Sequence, residues 1–226
     1  MIKRIAILGS TGSIGKSTLE IVKKDKKNFD IVLLTTNNNY KEILKQAYKF
    51  EPRNIIINNK KNYLKLKNKF KKINIFNSFD QFFKKYNTKI DYAISAISGL
   101  PGLQPTLDII KYTKNVAIAN KESIICAWNL IERELKKNNT KFIPVDSEHF
   151  SIWYLLKNKK IKTVDEIVIT ASGGPFLNWK IDNIKKATPK FAIKHPNWSM
   201  GKKISVDSAT MMNKVFELIE AQRIFN

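Results

Sequence analysis

Ile5-Ala6-Ile7-Leu8-Gly9-Ser10-Thr11-Gly12-Ser13-Ile14-Gly15 carries a short apolar run into glycines at positions 9, 12 and 15 and on into a helix-length stretch, Ser13–Lys24. A tight strand-to-helix turn needs glycine where φ is positive and where backbone must approach a pyrophosphate, and the helix that follows offers its first N–H groups to the anion. The spacing is not G-x-G-x-x-G. It is the turn's place, after an N-terminal strand, that points to dinucleotide binding rather than to a plain turn.

The pattern continues outward from that turn. Apolar runs at Ile31–Leu34, Asn54–Ile57, Ile73–Phe76, Tyr92–Ile97, Val116–Ala119 and Phe142–Val145 alternate with amphipathic stretches such as Lys41–Phe50, Leu103–Tyr112 and Glu122–Asn138. This is the βαβ rhythm of a doubly wound parallel sheet, whose strands are apolar on both faces because helices cover both. Past Val145 the rhythm changes to one strand candidate at Ile167–Thr170, an exposed turn at Lys157–Lys160, loops rich in Gly, Pro, Trp and Ser, and a final helix from about Ser208 to Ile224. The expected fold is α/β: a Rossmann-like doubly wound parallel sheet over residues 1–147, then an α/β (α+β) catalytic domain over 148–226. The chain stops at Asn226 as the last helix ends, so the second domain reads as truncated and the chain as part of a longer protein.

Composition narrows the class. The chain has 226 residues, 43% of them hydrophobic and 11% aromatic, which argues for a folded globular protein. No run of about 18 apolar residues is present and no leader pattern follows Met1, so no membrane span is expected. The one cysteine, Cys126, cannot form an internal disulfide and suits a reducing compartment, the cytoplasm. A formal charge of +22 would steer the chain to anions, nucleic acid first. The lysines are scattered among Asn and Ile, however, with no basic stripe interleaved with aromatics, and no nucleic-acid partner is expected.

Several short stretches carry candidate chemistry. After the second strand, Thr35-Thr36-Asn37-Asn38-Asn39-Tyr40-Lys41 has no acid before Glu42, which favours NADP over NAD because no carboxylate repels a 2′-phosphate. Ala119-Asn120-Lys121-Glu122-Ser123 and Pro144-Val145-Asp146-Ser147-Glu148-His149 stand at the ends of consecutive strands, where open α/β sheets bind ligands. In extended backbone Asp146 and Glu148 would point the same way and could chelate Mg²⁺ or Mn²⁺, but Asp-Ser-Glu is equally a helix N-cap. Ser172-Gly173-Gly174-Pro175 could offer a hydroxyl and N–H groups to phosphate. Asn213, Lys214 and Glu217 share a helix face, as a site or as a surface salt bridge. The loop His195–Gly201 holds Trp198 and Met200 without helical spacing and would suit a lid as well as a core-packed Trp.

Taken together, these blocks, with Lys203-Ile204-Ser205-Val206-Asp207-Ser208-Ala209-Thr210-Met211-Met212-Asn213-Lys214, resemble 1-deoxy-D-xylulose 5-phosphate reductoisomerase, in the right order along the whole chain. The resemblance implies an NADPH- and divalent-metal-dependent oxidoreductase that rearranges and reduces a small ketose phosphate in non-mevalonate isoprenoid biosynthesis. It implies metal ligands Asp146, Glu148 and Glu217 for Mn²⁺ or Mg²⁺, with Co²⁺ as a further candidate. The matching catalytic group is Lys121, Asp146, Glu148, His149 and Glu217; substrate would meet Ser147, Ser172, His195, Trp198, Ser208, Asn213 and Lys214 as well. Cofactor would meet Gly9, Thr11, Gly12, Ser13, Ile14, Asn37, Asn38, Asn39, Asn120, Glu122 and Gly201. The resemblance implies a lid over 195–201 and a homodimer at full length. Many members carry Gly-Lys-Asn where this chain has Asn37-Asn38-Asn39, which implies a weaker grip on the 2′-phosphate. On the residues alone, the rival reading is another Rossmann-type NADP-dependent reductase of a phosphorylated small molecule.

Overall fold

The computed structural model describes residues 2–159, 163–198 and 200–225; Lys160 of the expected turn, Ser199 of the expected lid and Asn226 lie outside the described residues. The chain divides between Val145 and Asp146 into two compact units.

The first unit alternates strand and helix: β1 (Lys3–Leu8), α1 (Ser13–Lys24), β2 (Phe29–Thr36), α2 (Tyr40–Phe50), β3 (Asn54–Ile57), α3 (Lys60–Leu66), β4 (Asn74–Phe76), α4 (Phe79–Phe83), β5 (Ile90–Ser95), α5 (Leu103–Ile110), β6 (Thr113–Ile118), α6 (Lys121–Asn138) and β7 (Lys141–Pro144). The strands form one sheet in the order β4-β3-β2-β1-β5-β6-β7, every pair parallel. The chain builds outward from β1 to one edge, then crosses to the other side of β1 for β5. That reversal puts a crevice at the carboxyl ends of β1 and β5, where such sheets bind ligands.

Apolar burial holds the unit together. Ile5, Ile7, Ile31, Leu34, Ile55 and Ile57 of the sheet pack with Leu19 and Val22 of α1 and Ile43, Ala47 and Phe50 of α2. Asparagine and serine caps start the helices: Asn39 for α2, Asn59 for α3, Ser78 for α4 and Asn120 for α6. By contrast, α1 begins at Gly12 with no side-chain cap.

The second unit holds α7 (Ser147–Leu156), α8 (Ile181–Ile184), α9 (Pro189–Ala192), α10 (Lys202–Ala209) and α11 (Met212–Phe225) joined by extended loops. Two expectations are corrected here. Ile167–Thr170 is extended but forms no strand, because no second strand lies beside it among the described residues to complete a ladder. The final helix does not run unbroken from Ser208: Ser208 belongs to α10, which ends at Ala209, and Met211 turns into the left-handed region at φ 60° before α11 starts. Thr210 Oγ1 bonds back to the Val206 carbonyl at 3.0 Å, an intrahelical side-chain bond that accompanies the break. Among the described residues no helix is long and apolar enough to cross a membrane.

Candidate functional site

In the first unit the glycine-rich turn sits at the switch point. Gly9 adopts φ 78°, and a Cβ on it would lie 2.7 Å from the Ala96 carbonyl that follows β5. Gly15 is closed against Gly9 and Ser10 backbone, with 2.5 Å left for a Cβ, so it sets how near α1 comes to the turn. At Gly12 a Cβ would meet only the Gly9 carbonyl, at 3.4 Å. Thr11 is half-buried and bonded to Thr36 by a 2.8 Å hydroxyl contact, whereas Gly12, Ser13 and Ile14 are exposed. An uncapped helix start with open space before it is what a pyrophosphate needs, and no first-turn acid opposes one.

Asn37, Asn38 and Asn39 form the exposed turn after β2. Asn39 Oδ1 caps α2 by accepting from Glu42 N at 3.2 Å, and the Asn38 carbonyl accepts from Tyr40 N and Asn62 Nδ2, each at 2.8 Å. Asn120 is 2% exposed and fully engaged: Nδ2 donates to the Ile97 and Gly99 carbonyls at 2.6 and 2.8 Å, while Oδ1 accepts from Ser123 N at 3.0 Å. Its side chain therefore braces the loop after β5. Lys121 and Glu122 occupy the first turn of α6. Sequence reasoning missed that braced loop, Ala96–Gly102, although Ser98-Gly99 and Pro101-Gly102 right after a strand are a signal for it.

The second unit gathers the acidic candidates. Asp146 is the N-cap of α7, its Oδ1 accepting from His149 N at 2.7 Å, and Glu148 lies in the first helical turn. The strand geometry that would aim both carboxylates one way is thus replaced by the helix-cap alternative. His149 is 0% exposed, with Nδ1 2.7 Å from Asp146 Oδ1 and Nε2 2.9 Å from the Glu217 carbonyl on α11. This chain of contacts joins residues 68 positions apart. Burial alone would lower the His149 pKa, but Asp146, the Glu217 carbonyl and Glu220 raise it above the ordinary value; an imidazole between acceptors satisfies both only when doubly protonated.

Glu217 is 2% exposed and binds Asn213 and Lys214 on its own helix. It is not a surface residue, yet it is a partner of Lys214, so the ion pair is not the surface salt bridge of the alternative reading. Lys214 Nζ also reaches Glu148 Oε1 at 3.5 Å and the Thr170 carbonyl. Burial by itself raises the Glu148 pKa, but Ser147 Oγ donating at 2.6 Å, its own backbone amide and Lys214 together bring it below the ordinary value. Sequence reasoning missed Glu220: Asp146, His149 and Glu220 present ligand atoms within 4.8 Å of one another. Its i,i+3 spacing from Glu217 was the available signal. Asp146, His149 and Glu220 are thus the cluster of metal-type ligands among the described residues, whereas Glu148 and Glu217 of the expected set meet at the Lys214 ammonium; carboxylate oxygens of this kind suit a hard divalent cation.

A second cluster completes this unit. His195 Nδ1 accepts from the amides of Asn197 and Trp198 at 3.1 and 3.0 Å, which leaves its proton on Nε2, 2.9 Å from Ser172 Oγ. Ser172 Oγ also accepts from Gly174 N at 3.3 Å, so neither bond uses its own hydroxyl proton. Gly174, at φ 66°, leaves 2.7 Å for a Cβ before the Ser208 carbonyl, which brings this turn against the end of α10. Trp198 is 65% exposed and Gly201 caps α10. Ser147 and Glu148 border a cavity of about 690 Å³ that continues past Ile152 to Thr170.

The sequence matches the family profile of 1-deoxy-D-xylulose 5-phosphate reductoisomerase over residues 5–128 and that of the reductoisomerase C-terminal domain over 142–225. A 1-deoxy-D-xylulose 5-phosphate reductoisomerase of Pelagibacter ubique is 59% identical over 230 residues, covering 99% of this chain and 59% of the relative. One of Clostridium novyi is 41% identical, covering 99% and 60%. The chain therefore spans about three-fifths of the length of these relatives. Among solved structures, a DOX-P reductoisomerase in complex with NADPH, fosmidomycin and magnesium aligns with a TM-score of 0.88 at 35% identity, over 99% of this chain and 58% of that one. The Zymomonas mobilis 1-deoxy-D-xylulose 5-phosphate reductoisomerase in complex with NADPH aligns with a TM-score of 0.89 at 35% identity, over 100% and 58%.

Proposed function

Because the chain belongs to the 1-deoxy-D-xylulose 5-phosphate reductoisomerase family, we propose that it carries the cofactor-binding part and a portion of the catalytic part of an NADPH- and divalent-metal-dependent enzyme converting 1-deoxy-D-xylulose 5-phosphate to 2-C-methyl-D-erythritol 4-phosphate. The observation that carries this reading is the convergence of Glu148, Glu217 and Lys214, from stretches far apart in sequence, on one partly buried point beside a cavity.

Asp146, Glu148 and Glu217 would hold Mg²⁺ or Mn²⁺, which when bound supplies a Lewis acid for the substrate's oxygens. NADPH supplies the hydride, and Gly9, Thr11, Gly12, Ser13 and Ile14 would seat its pyrophosphate, with Asn37, Asn38 and Asn39 at the 2′-phosphate and Asn120, Glu122 and Gly201 as further contacts. Ser172, His195, Ser208, Asn213 and Lys214 would bind the substrate phosphate: Ser172 gives a hydroxyl proton already oriented by His195, and Lys214 gives charge. Lys121, Ser147 and His149 would line the reacting carbons, and Trp198 on its exposed loop would exclude water. His149 orients Asp146 through Nδ1 and so steadies one of the ligand carboxylates.

The cytoplasm is the proposed compartment, on the strength of the single cysteine, and a homodimer the proposed full-length state. The reading is tested by NADPH fluorescence and Mn²⁺ binding on this chain, and by NADPH oxidation with the ketose phosphate and Mn²⁺ on a chain extended by the sequence its relatives carry. Binding of both ligands and oxidation by the extended chain are expected. A chain that binds neither would overturn the proposal.

A further inference from the structure

The glycine-rich turn is gripped from outside. Gln46, on the buried face of α2 and 4% exposed, spends both ends of its amide on Ser10: Oε1 accepts from the Ser10 hydroxyl at 2.8 Å, and Nε2 donates to the Ser10 carbonyl at 2.9 Å. The end of β2 holds the same turn, Gly9 N donating to Thr35 Oγ1 at 2.8 Å and Ser10 N to the Thr35 carbonyl at 3.0 Å. Ser10 is itself buried, so water does not compete for these groups.

Two-point capture fixes a peptide more tightly than one bond does, because it removes rotation about the bond as well as translation. The Ser10 peptide lies immediately before Thr11 and the exposed Gly12 and Ser13, which open α1. Any tilt at Ser10 is passed to the direction in which those amides point. A donor array aimed before the anion arrives loses little entropy when it binds.

We infer that Gln46 is a positioning residue for the dinucleotide: it touches no cofactor atom but fixes the Ser10 peptide, and with it the amides that meet the pyrophosphate. The inference rests on the dinucleotide reading of this turn. If Gln46 merely satisfied buried polar groups, its loss would affect stability and not affinity.

The test compares NADPH fluorescence titrations and thermal melts of the wild-type chain with Gln46→Met, Ile43→Val and Gly12→Val. Methionine keeps the length of the side chain and removes both bonds to Ser10, together with the longer 3.4 Å contact from Nε2 to Glu42 Oε1. Ile43 is fully buried on the same helix in the apolar cluster with Leu19, Val22 and Ala47, so Ile43→Val reports lost packing. At Gly12 a Cβ meets only the Gly9 carbonyl, at 3.4 Å, so Gly12→Val leaves the turn in place and obstructs the pyrophosphate. Gln46→Met should weaken NADPH binding on the order of tenfold, within what the loss of two buried hydrogen bonds supplies, with Ile43→Val unchanged and Gly12→Val close to non-binding. The amide shifts of Gly9 to Ser13 should move in the Gln46 variant only. Wild-type affinity in Gln46→Met beside a defective Gly12→Val overturns the inference, as does an equal loss in Gln46→Met and Ile43→Val. Unimpaired binding by Gly12→Val removes the dinucleotide reading itself. Should Gln46→Met not fold, Gln46→Glu replaces it: the isostere accepts from the Ser10 hydroxyl but sets a carboxylate against the Ser10 carbonyl, and the same shifts and loss are required.

Discussion

Lys214 and Glu217, one turn apart on α11, form a partly buried ion pair that also draws in Glu148 from α7. The ammonium stands where a divalent cation would need the same carboxylate charge, so lysine and metal compete for two acids. Lys214→Met should therefore raise the Mn²⁺ affinity of the chain while removing a phosphate contact. Glu217→Gln should lower Mn²⁺ affinity by roughly 10- to 100-fold. Titration followed by the Mn²⁺ resonance signal checks both, and no gain in Lys214→Met would mean that the two acids do not share a cation.

Two glycines of the same turn should separate folding from binding. In Gly15→Ala the new Cβ falls 2.5 Å from backbone of Gly9 and Ser10, neither of which can yield without moving β1 or α1. A loss of about 1–3 kcal/mol, in the range of overpacking a tight core, should appear in chemical denaturation. Gly12→Ala meets backbone only at 3.4 Å and sits at φ −79°, so its stability should hold while NADPH affinity falls. The two denaturation curves and two NADPH titrations decide it; equal effects of both variants would contradict the argument.

The seven strands were legible because helices bury both faces of a parallel sheet, which turns each strand into a run such as Asn54–Ile57 with no polar alternation to confuse it. Short lysine- and asparagine-rich helices were not. The seven residues of α3 bury only Leu66, too little for a periodic signal, and the Asn59 cap is the one local cue. The break at Met211 has no glycine to announce it. For the site, residue types and their proximity to strand ends could be read, but the coming together of α7 and α11 could not, since His149 reaches Glu217 through a backbone carbonyl and any residue has one. Asp146 could be read either as a strand-end ligand or as a cap, and only the backbone chose.

Asp91 should shape the acid limb of stability. It ties three strands: Lys114 of β6 donates at 2.8 Å and Arg4 of β1 gives its amide at 2.9 Å. The Lys114 bond, against an opposing effect of burial and with help from Arg4, holds the Asp91 pKa below the ordinary carboxylate range. A depressed folded-state pKa contributes stability that is present above the unfolded value of about 4 and is lost as pH falls through the folded value. Asp91→Asn should therefore be less stable than wild type at pH 7, with the difference shrinking below about pH 4. Denaturation midpoints at pH 7 and pH 3 measure this, and a gap that stays constant between them would rule Asp91 out as a source.

Cofactor choice turns on the residues after β2. Asn38 contributes its backbone carbonyl to Tyr40 and Asn62 and presents an exposed side chain, so lysine can replace it without breaking either bond. The turn has no acid before Glu42, and Glu42 is itself held by Lys16 at 3.6 Å and by Gln46 Nε2 at 3.4 Å, which ties its carboxylate to α1 and α2. Nothing in Thr35–Lys41 thus repels a 2′-phosphate, but the three asparagines carry no charge to attract it. Asn38→Lys adds one cation at that place and should tighten NADPH several-fold, on the order of an exposed charge pair, with NADH left as it was. Fluorescence titrations with the two nucleotides at low and high salt measure it. The gain should shrink as salt screens the pair. If NADH tightens equally, or the wild-type chain already prefers NADH, the turn after β2 does not read the 2′-phosphate.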